Sequence, residues 1–370
     1  MVLLEEILTL LEHICKIPAP SHHEEKRAEF CKDWLEAVGA EGVYVDEALN
    51  VVYPMGCEGR DDVVVFMAHT DTVFPDMTEP MPFRKEGDRI YSPGVGDDTV
   101  CLAMMLTVIK EIVQSGHKPK YGVLFVANSC EEGLGNLKGV RKIMEDYGDR
   151  IRRVYTFDGC YDALVCKCVG SHRYKVTMET EGGHSFNAFG KKNAIVAAAE
   201  LICRLNQCSI SQKEGSKTTF NVGVMEGGTS VNTIAQHATF LYEYRSDDYD
   251  CLQMMKAFFE REVALARQDR EVTVSVETLG IRPCGNLPDK TELETMINRV
   301  RTICEKHTGL ACRLTSGSTD ANMPMSMGIP AICVGTYLGG GMHTREEYME
   351  ISSIPVGLNI TRDVILEYFE

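Results

Sequence analysis

The stretch VVVFMAHTD, Val63 to Asp71, decides the fold of this chain. Its consecutive apolar residues, three of them Val, show no polar alternation, so it reads as a strand buried on both faces, of the kind found in parallel α/β sheets. His69 and Asp71 follow at its end, at the edge where open α/β sheets place their ligands. The pattern recurs along the chain. YGVLFVAN (Tyr121 to Asn128) is followed by Glu131 and Glu132, RVYTF (Arg153 to Phe157) by Asp158, and AICVGTY (Ala331 to Tyr337) by a glycine triplet and His343. These strands predict an α/β fold with a central, mostly parallel sheet flanked by helices and a polar site along one edge.

The intervening segments read as helices and loops. Leu4, Ile7, Leu11 and Ile14 share one helical face, and the Ser21 to Glu24 spacing predicts a capping box opening a second helix that runs to about Val38. A Pro-rich loop closes at SPGVGDD (Ser92 to Asp98), and an apolar helix is expected from Thr99 to about Val113, which sets Asp97 just ahead of a helix start. Between residues 169 and 282 the order becomes β-α-β-β-α-β. Strands are expected near Tyr174 to Glu179, Thr219 to Met225, Ala238 to Tyr244 and Val272 to Glu277, with helices near Ala194 to Leu205 and Leu252 to Ala266. That order predicts an inserted ferredoxin-like domain at 169–282, between the two parts, 1–168 and 283–370, of a catalytic domain.

At 370 residues the chain has room for about two domains. A formal charge of -16 argues against nucleic acid or an anionic membrane surface as a partner, since either needs a basic face. No apolar run approaches the roughly 18 residues of a membrane span. The 15 cysteines lack C-x-x-C spacing, and the N-terminal MVLLEEILTL carries acids where a signal peptide carries Lys or Arg, so a reducing, cytoplasmic setting is expected. Gly94-x-Gly96 and Gly339 to Gly341 lack a complete phosphate or dinucleotide fingerprint and read as turns.

His69, Asp97, Glu132, Asp158 and His343 are five groups of the nitrogen and oxygen type that suits Zn²⁺ and similar divalent ions. Five is one more than a tetrahedral structural site uses, and two metals sharing one carboxylate would accommodate them. Metal pairs about 3.5 to 4 Å apart polarise carbonyls and generate hydroxide near neutral pH. Glu131 and Glu132 point different ways, so one can bind metal while the other moves a proton; spacing alone leaves open which does which. Asp71 is placed to orient the imidazole of His69 from behind. Cys130 and Cys160 read as packing groups.

AHTDTVFP, GVGDDT, CEEGLGN, FDG, GGHS, GGTSVN, STDA and GMHTREE, in this order over nearly the whole chain, resemble the co-catalytic zinc exopeptidases and deacylases. That family includes peptidase T, glutamate carboxypeptidase-type enzymes, aminoacylase and acetylornithine deacetylase, with peptidase T-like enzymes the nearest in character. The resemblance implies His69 and Asp158 on one metal, Glu132 and His343 on the other, Asp97 bridging, Glu131 as base and Asp71 behind His69. It implies that the insert is a lid and dimerisation domain, with His184 reaching the partner subunit's site to stabilise the oxyanion. Asn232 and Arg245 are similar to residues that hold a substrate carboxylate, and Ser318, Thr319 and Asp320 to a substrate-proximal loop.

Two positions depart from the family pattern. Asp98-Thr99-Val100 replaces the usual Lys or Met-Lys after the bridging Asp, and Asp158 stands where many deacylases and carboxypeptidases carry Glu. The second departure leans toward the aminopeptidase and dipeptidase branches. The expected protein is therefore a homodimeric exopeptidase holding two divalent ions per subunit. Zinc is the expected metal, and manganese or cobalt would tolerate the same ligands. Small peptides are the expected substrates; N-acyl amino acids are the alternative, and an inactive binding protein of the same fold the remote one.

Overall fold

In the computed structural model, which describes residues 2–133, 135–209 and 213–370, the Val63–His69 strand is buried along its whole length. Leu134, within the CEEGLGN motif, lies outside the described residues. Val63–His69 runs between Gly122–Asn128 and Ile151–Phe157, parallel to both, and Ala331–Val334 continues the parallel set. Antiparallel Val51–Met55 and Tyr44–Val45 extend one side. Ala163–Cys168, antiparallel to Ala331–Val334, and Arg313–Gly317 extend the other. Among the described residues this makes an eight-stranded sheet with a parallel centre.

Phe66, fully buried, ties this sheet to its surroundings: its ring lies 5.6 Å from Phe125, 5.4 Å from Tyr155 and, edge-on, 5.6 Å from Tyr368. Each such side chain stabilises the fold by about 1.5–3 kcal/mol on leaving water. The Cys101–Ser115 helix is buried continuously from Cys101 to Ile109, which accounts for its apolar sequence on every face. It packs on the Ile354–Leu366 helix, which in turn packs on Thr291–Thr308.

A second, four-stranded antiparallel sheet was not foreseen. Gly339–Gly340 and Tyr348–Glu350 form a hairpin, and Tyr348–Glu350 pairs with Arg89–Tyr91, which pairs with Arg84–Glu86. The hairpin carries His343 in its loop. Arg89–Tyr91 leads into a turn at Val95–Val100, where Asp97 (φ −108°, ψ 90°) and Asp98 (φ −126°, ψ 18°) are non-helical and the peptide between them is cis. The expected helix therefore begins at Cys101 rather than Thr99, since the turn occupies its first residues.

The capping box is corrected by the structure. The helix spans Glu25–Ala37 with Glu24 at its N-cap and no side-chain cap bond. Ser21 instead donates its hydroxyl to Asp71 Oδ2 at 2.6 Å.

The chain divides into two compact units, one formed by Met1–Cys168 with Asn286–Glu370, the other by Val169–Gly285. In the second unit, Thr218–Gly227, His237–Ser246, Gly170–Glu179 and Thr273–Arg282 form an antiparallel sheet in that spatial order, which is the ferredoxin-like arrangement. Helix Ala194–Asn206 buries Ala194, Ala198, Leu201 and Leu205, one face at helical spacing. Asn193 caps it by accepting from the Ile195 and Val196 N–H groups, and Asp248 caps Tyr249–Ala266 by accepting from Cys251.

Candidate metal centre

Parallel register brings the site together. His69 pairs with Asn128, and Phe157 with Val334, so these strands end level with one another and the residues after them leave from one edge. His69 is the last residue of its strand and Asp158 follows Ile151–Phe157 directly. Glu131 and Glu132 lie just beyond Asn128, after Cys130 in a left-handed conformation (φ 56°). Asp97 arrives on the Val95–Val100 turn. Gly94 there has φ 73°, and at Gly96 a Cβ would stand 2.5 Å from the Tyr337 hydroxyl, so the GVG spacing is needed for the turn to form and to pack.

Ligand-type atoms of His69, Asp97 and Asp158 lie within 4.8 Å of one another, as do those of Asp97, Glu132 and His343. Asp97 belongs to both groups. Its Oδ1 is 2.9 Å from His69 Nε2 and its Oδ2 is 3.1 Å from His343 Nε2. Glu132 Oε2 lies 3.3 Å from His343 Nε2.

The charges are lopsided. Burial opposes ionisation of Asp97, yet His343 and His69 hold its carboxyl below the usual range. Burial pushes Asp158 well above that range, reinforced by Asp97, Glu131 and Glu132. Glu132 is raised to about 7, chiefly by burial and against the pull of His343. His343 is raised to about 11 by its bonds to Asp97 and Glu132. Burial lowers His69, but Asp71 and Asp97 outweigh it and raise the imidazole well above its ordinary value. A converging nitrogen and oxygen donor set with more carboxylates than imidazoles fits a pair of divalent cations.

Around these groups lies a set of buried carboxylates. Asp71 carries its backbone oxygen 3.1 Å and its Oδ1 3.4 Å from His69 Nδ1. The same carboxylate accepts the N–H of Glu131 at 2.9 Å and of Glu132 at 3.0 Å. Glu24 accepts the Cys130 N–H at 3.0 Å, Asp98 the His69 N–H at 2.9 Å, and Glu347 the N–H groups of Gly94, Gly96 and Asp97. Sequence reasoning assigned no site role to Glu24, Asp98 or Glu347, although each lies in a motif or segment it singled out. Acids beside ligand-type residues are a weak signal, because only the fold reveals which backbone they hold.

Asp320 is buried, accepts from Asn128 Nδ2 at 2.6 Å and is raised to about 8 by burial and by Glu131. Thr319 is buried, its N–H bound to Asn322 Oδ1 at 2.9 Å, and Ser318 is partly exposed. In the second unit His184 is exposed and pairs with Thr233, and the Ser185 N–H donates to the Asn232 carbonyl, so His184 and Asn232 are neighbours. Arg245 pairs with Glu243 at 3.1 Å near the far end of His237–Ser246. At about 3.3 Å per residue, that end lies roughly 25 Å along the strand from His237, the end beside His184. Among the described residues, no helix is long and apolar enough to cross a membrane.

Residues 65–367 match the model of peptidase family M20/M25/M40. The chain is 27% identical over 330 residues to carboxypeptidase G2 of Pseudomonas sp. (strain RS-16), covering 86% of this chain and 76% of that protein. It is 24% identical over 363 residues to succinyl-diaminopimelate desuccinylase of Corynebacterium glutamicum, covering 95% and 94%. Its fold is similar to a tripeptidase from Staphylococcus aureus (TM-score 0.79, 21% identity, 99% and 98% of the two chains). It is also similar to the Bacillus subtilis YxeP protein, a dinuclear metal-binding peptidase from the M20 family (TM-score 0.68, 13% identity, 98% and 97%).

Proposed function

This chain belongs to peptidase family M20/M25/M40, and from that membership we propose that it is a two-metal exopeptidase acting on small peptides with a free carboxylate. The coarser statement follows from the family: the protein is a hydrolase of the peptidase and amidohydrolase kind. The observation that carries the two-metal reading is the pair of donor groups sharing Asp97, with Glu131 near enough to act electrostatically on Glu132 and Asp158.

His69, Asp97 and Asp158 would hold one divalent ion, and Asp97, Glu132 and His343 the other. Bound there, the ions supply Lewis acidity toward the scissile carbonyl and lower the pKa of water. Their donor set suits zinc, and also manganese or cobalt. Glu131 takes the proton of the attacking water and returns it to the leaving amine. Asp71 orients His69 and, through the Glu131 N–H, the base itself. His184 donates to the developing oxyanion, Asn232 and Arg245 bind the substrate carboxylate, and the Ser318 to Asp320 loop lies along the substrate.

The distance between Arg245 and the His184–Asn232 pair supports a homodimer, because one small substrate cannot touch both within one copy. Fifteen free cysteines suit a reducing, cytoplasmic setting. The desuccinylase relative favours a second reading, N-acyl amino acid hydrolysis by the same residues.

Both readings are tested by turnover on dipeptides, tripeptides and N-acetyl amino acids with zinc, manganese or cobalt added back. Peptides as best substrates support the first, N-acyl amino acids the second, and no turnover on either class by metal-loaded protein refutes both. Glu131→Ala should keep about two ions per chain while losing on the order of 10²–10⁴-fold in turnover.

A further inference from the structure

Glu347 lies four residues beyond His343 and is 1% exposed. Its Oε1 accepts the backbone N–H groups of Gly96 and Asp97, both at 2.8 Å, and its Oε2 accepts that of Gly94 at 2.9 Å. Three amides of one turn converging on a single carboxylate form a backbone anion nest, filled here by a side chain of the protein. The Ser92 N–H also donates to the Glu347 carbonyl at 3.1 Å, and the next residue, Tyr348, pairs with Tyr91. Glu347 therefore joins the hairpin that delivers His343 to the turn that delivers Asp97.

Beyond its contacts to Asp97 and Glu132, His343 stands on an open loop that is also tied by the exposed Arg345–Asp76 ion pair. It sits in a left-handed conformation (φ 63°), is exposed, and its neighbours Met342, Thr344 and Arg345 are exposed too. Its spacing from Asp97 depends on the base of the hairpin, where Glu347 is the buried anchor. The adjacent Glu346 points elsewhere, exposed and 3.2 Å from Arg84 Nη2.

We propose that Glu347 is a positioning residue that sets the spacing between His343 and Asp97, and so controls occupancy of the metal position formed by Asp97, Glu132 and His343. The inference rests on the two-metal reading above. It differs from a general structural role in touching one of the two positions more than the other, because Asp158 lies on a separate strand end and His69 is held by Asp71 and Asp98.

Glu347→Gln tests it, since the amide keeps the volume but sets an NH₂ group where one carboxylate oxygen received an N–H. Full-length wild type, E347Q, E347D and E346Q are loaded with zinc, dialysed against a fixed chelator concentration, and measured for zinc per chain and for Tm after zinc removal. Wild type and E346Q should retain two ions. E347Q should retain about one, the weaker ion having lost roughly 10–100-fold in affinity, with a zinc-free form that still folds, at a Tm lowered by the donor now facing the turn's amides.

Retention of both ions by E347Q with wild-type affinity, or equal loss of both, overturns the proposal. If E347Q does not fold, E347D takes its place, with the same selective loss expected and the same two results overturning it. A wild-type chain that binds fewer than two ions removes the two-metal reading itself, and the inference with it.

Discussion

The carboxylate of Asp71, whose Oδ1 stands 3.4 Å from His69 Nδ1, also accepts the N–H of Glu131 at 2.9 Å. One buried side chain thus orients a proposed metal ligand and the proposed base together. Asp71→Asn keeps the shape but turns one acceptor into a donor facing amides that need acceptors. Turnover should fall by roughly 10–100-fold while metal content stays near two per chain. Metal analysis alongside steady-state kinetics checks this, and wild-type turnover in the variant would dissolve the link between Asp71 and the base.

The same network shows what was legible beforehand. Strands such as Val63–His69 are readable because burial on both faces forces unbroken apolar sequence, and the ligand-type residues stand out because they follow such strands. Arg313–Gly317 escaped notice because it lies at a sheet edge with exposed residues and no apolar alternation. Ser21 and Glu24 were misread because a helix cap and a long-range anchor call for the same residue types. Ser21 donates to the Asp71 side chain, Glu24 holds the Cys130 backbone and Glu347 the backbone from Gly94 to Asp97, each partner far away in sequence, so only tertiary structure could pair them.

Asp158 is expected to trade stability for binding. Burial and three neighbouring acids raise its carboxyl well above the usual range, so its ionised form destabilises the metal-free fold at neutral pH. Asp158→Asn removes that charge. The Tm of the metal-free variant should exceed that of metal-free wild type, by about 2–4 °C for each ~1 kcal/mol gained. Added zinc should then raise its Tm less than it raises that of wild type, since bound ligand stabilises by mass action. Thermal scans with and without zinc decide the matter; a metal-free variant less stable than wild type would count against repulsion among these acids.

The second unit carries a pH dependence of its own. Burial, with a smaller contribution from Lys256, lowers His172 to about 4, and its Nδ1 lies 2.8 Å from the Tyr244 hydroxyl and 3.4 Å from that of Tyr174. In the unfolded chain the imidazole titrates near its ordinary value of about 6.5. Between about pH 6.5 and 4 the unfolded state therefore binds more protons than the folded one, and stability falls as pH falls. Above that window both states hold a neutral ring and the effect vanishes. His172→Gln keeps an acceptor for Tyr244 but does not titrate, so its Tm should fall less than that of wild type between pH 6.5 and 4.5. Parallel curves for the two proteins would exclude His172 as the source.

The proposed division of labour between copies has a sharp consequence. His184 adjoins Asn232 through the Ser185 N–H bond, whereas Arg245 lies toward the far end of the His237–Ser246 strand. If His184 serves the partner's site, a site needs Glu131 from one copy and His184 from the other. E131A and H184A homodimers should each be nearly inactive. After subunit exchange, a hybrid dimer contains one site with Glu131 from the H184A copy and His184 from the E131A copy. That site is complete, so the mixture should regain activity, approaching about a quarter of the wild-type rate when half of the dimers are hybrid and one of their two sites works. If His184 acts within its own copy, every site in the mixture lacks one of the two residues and no activity returns, which would reject the shared-site dimer while leaving the two-metal reading intact.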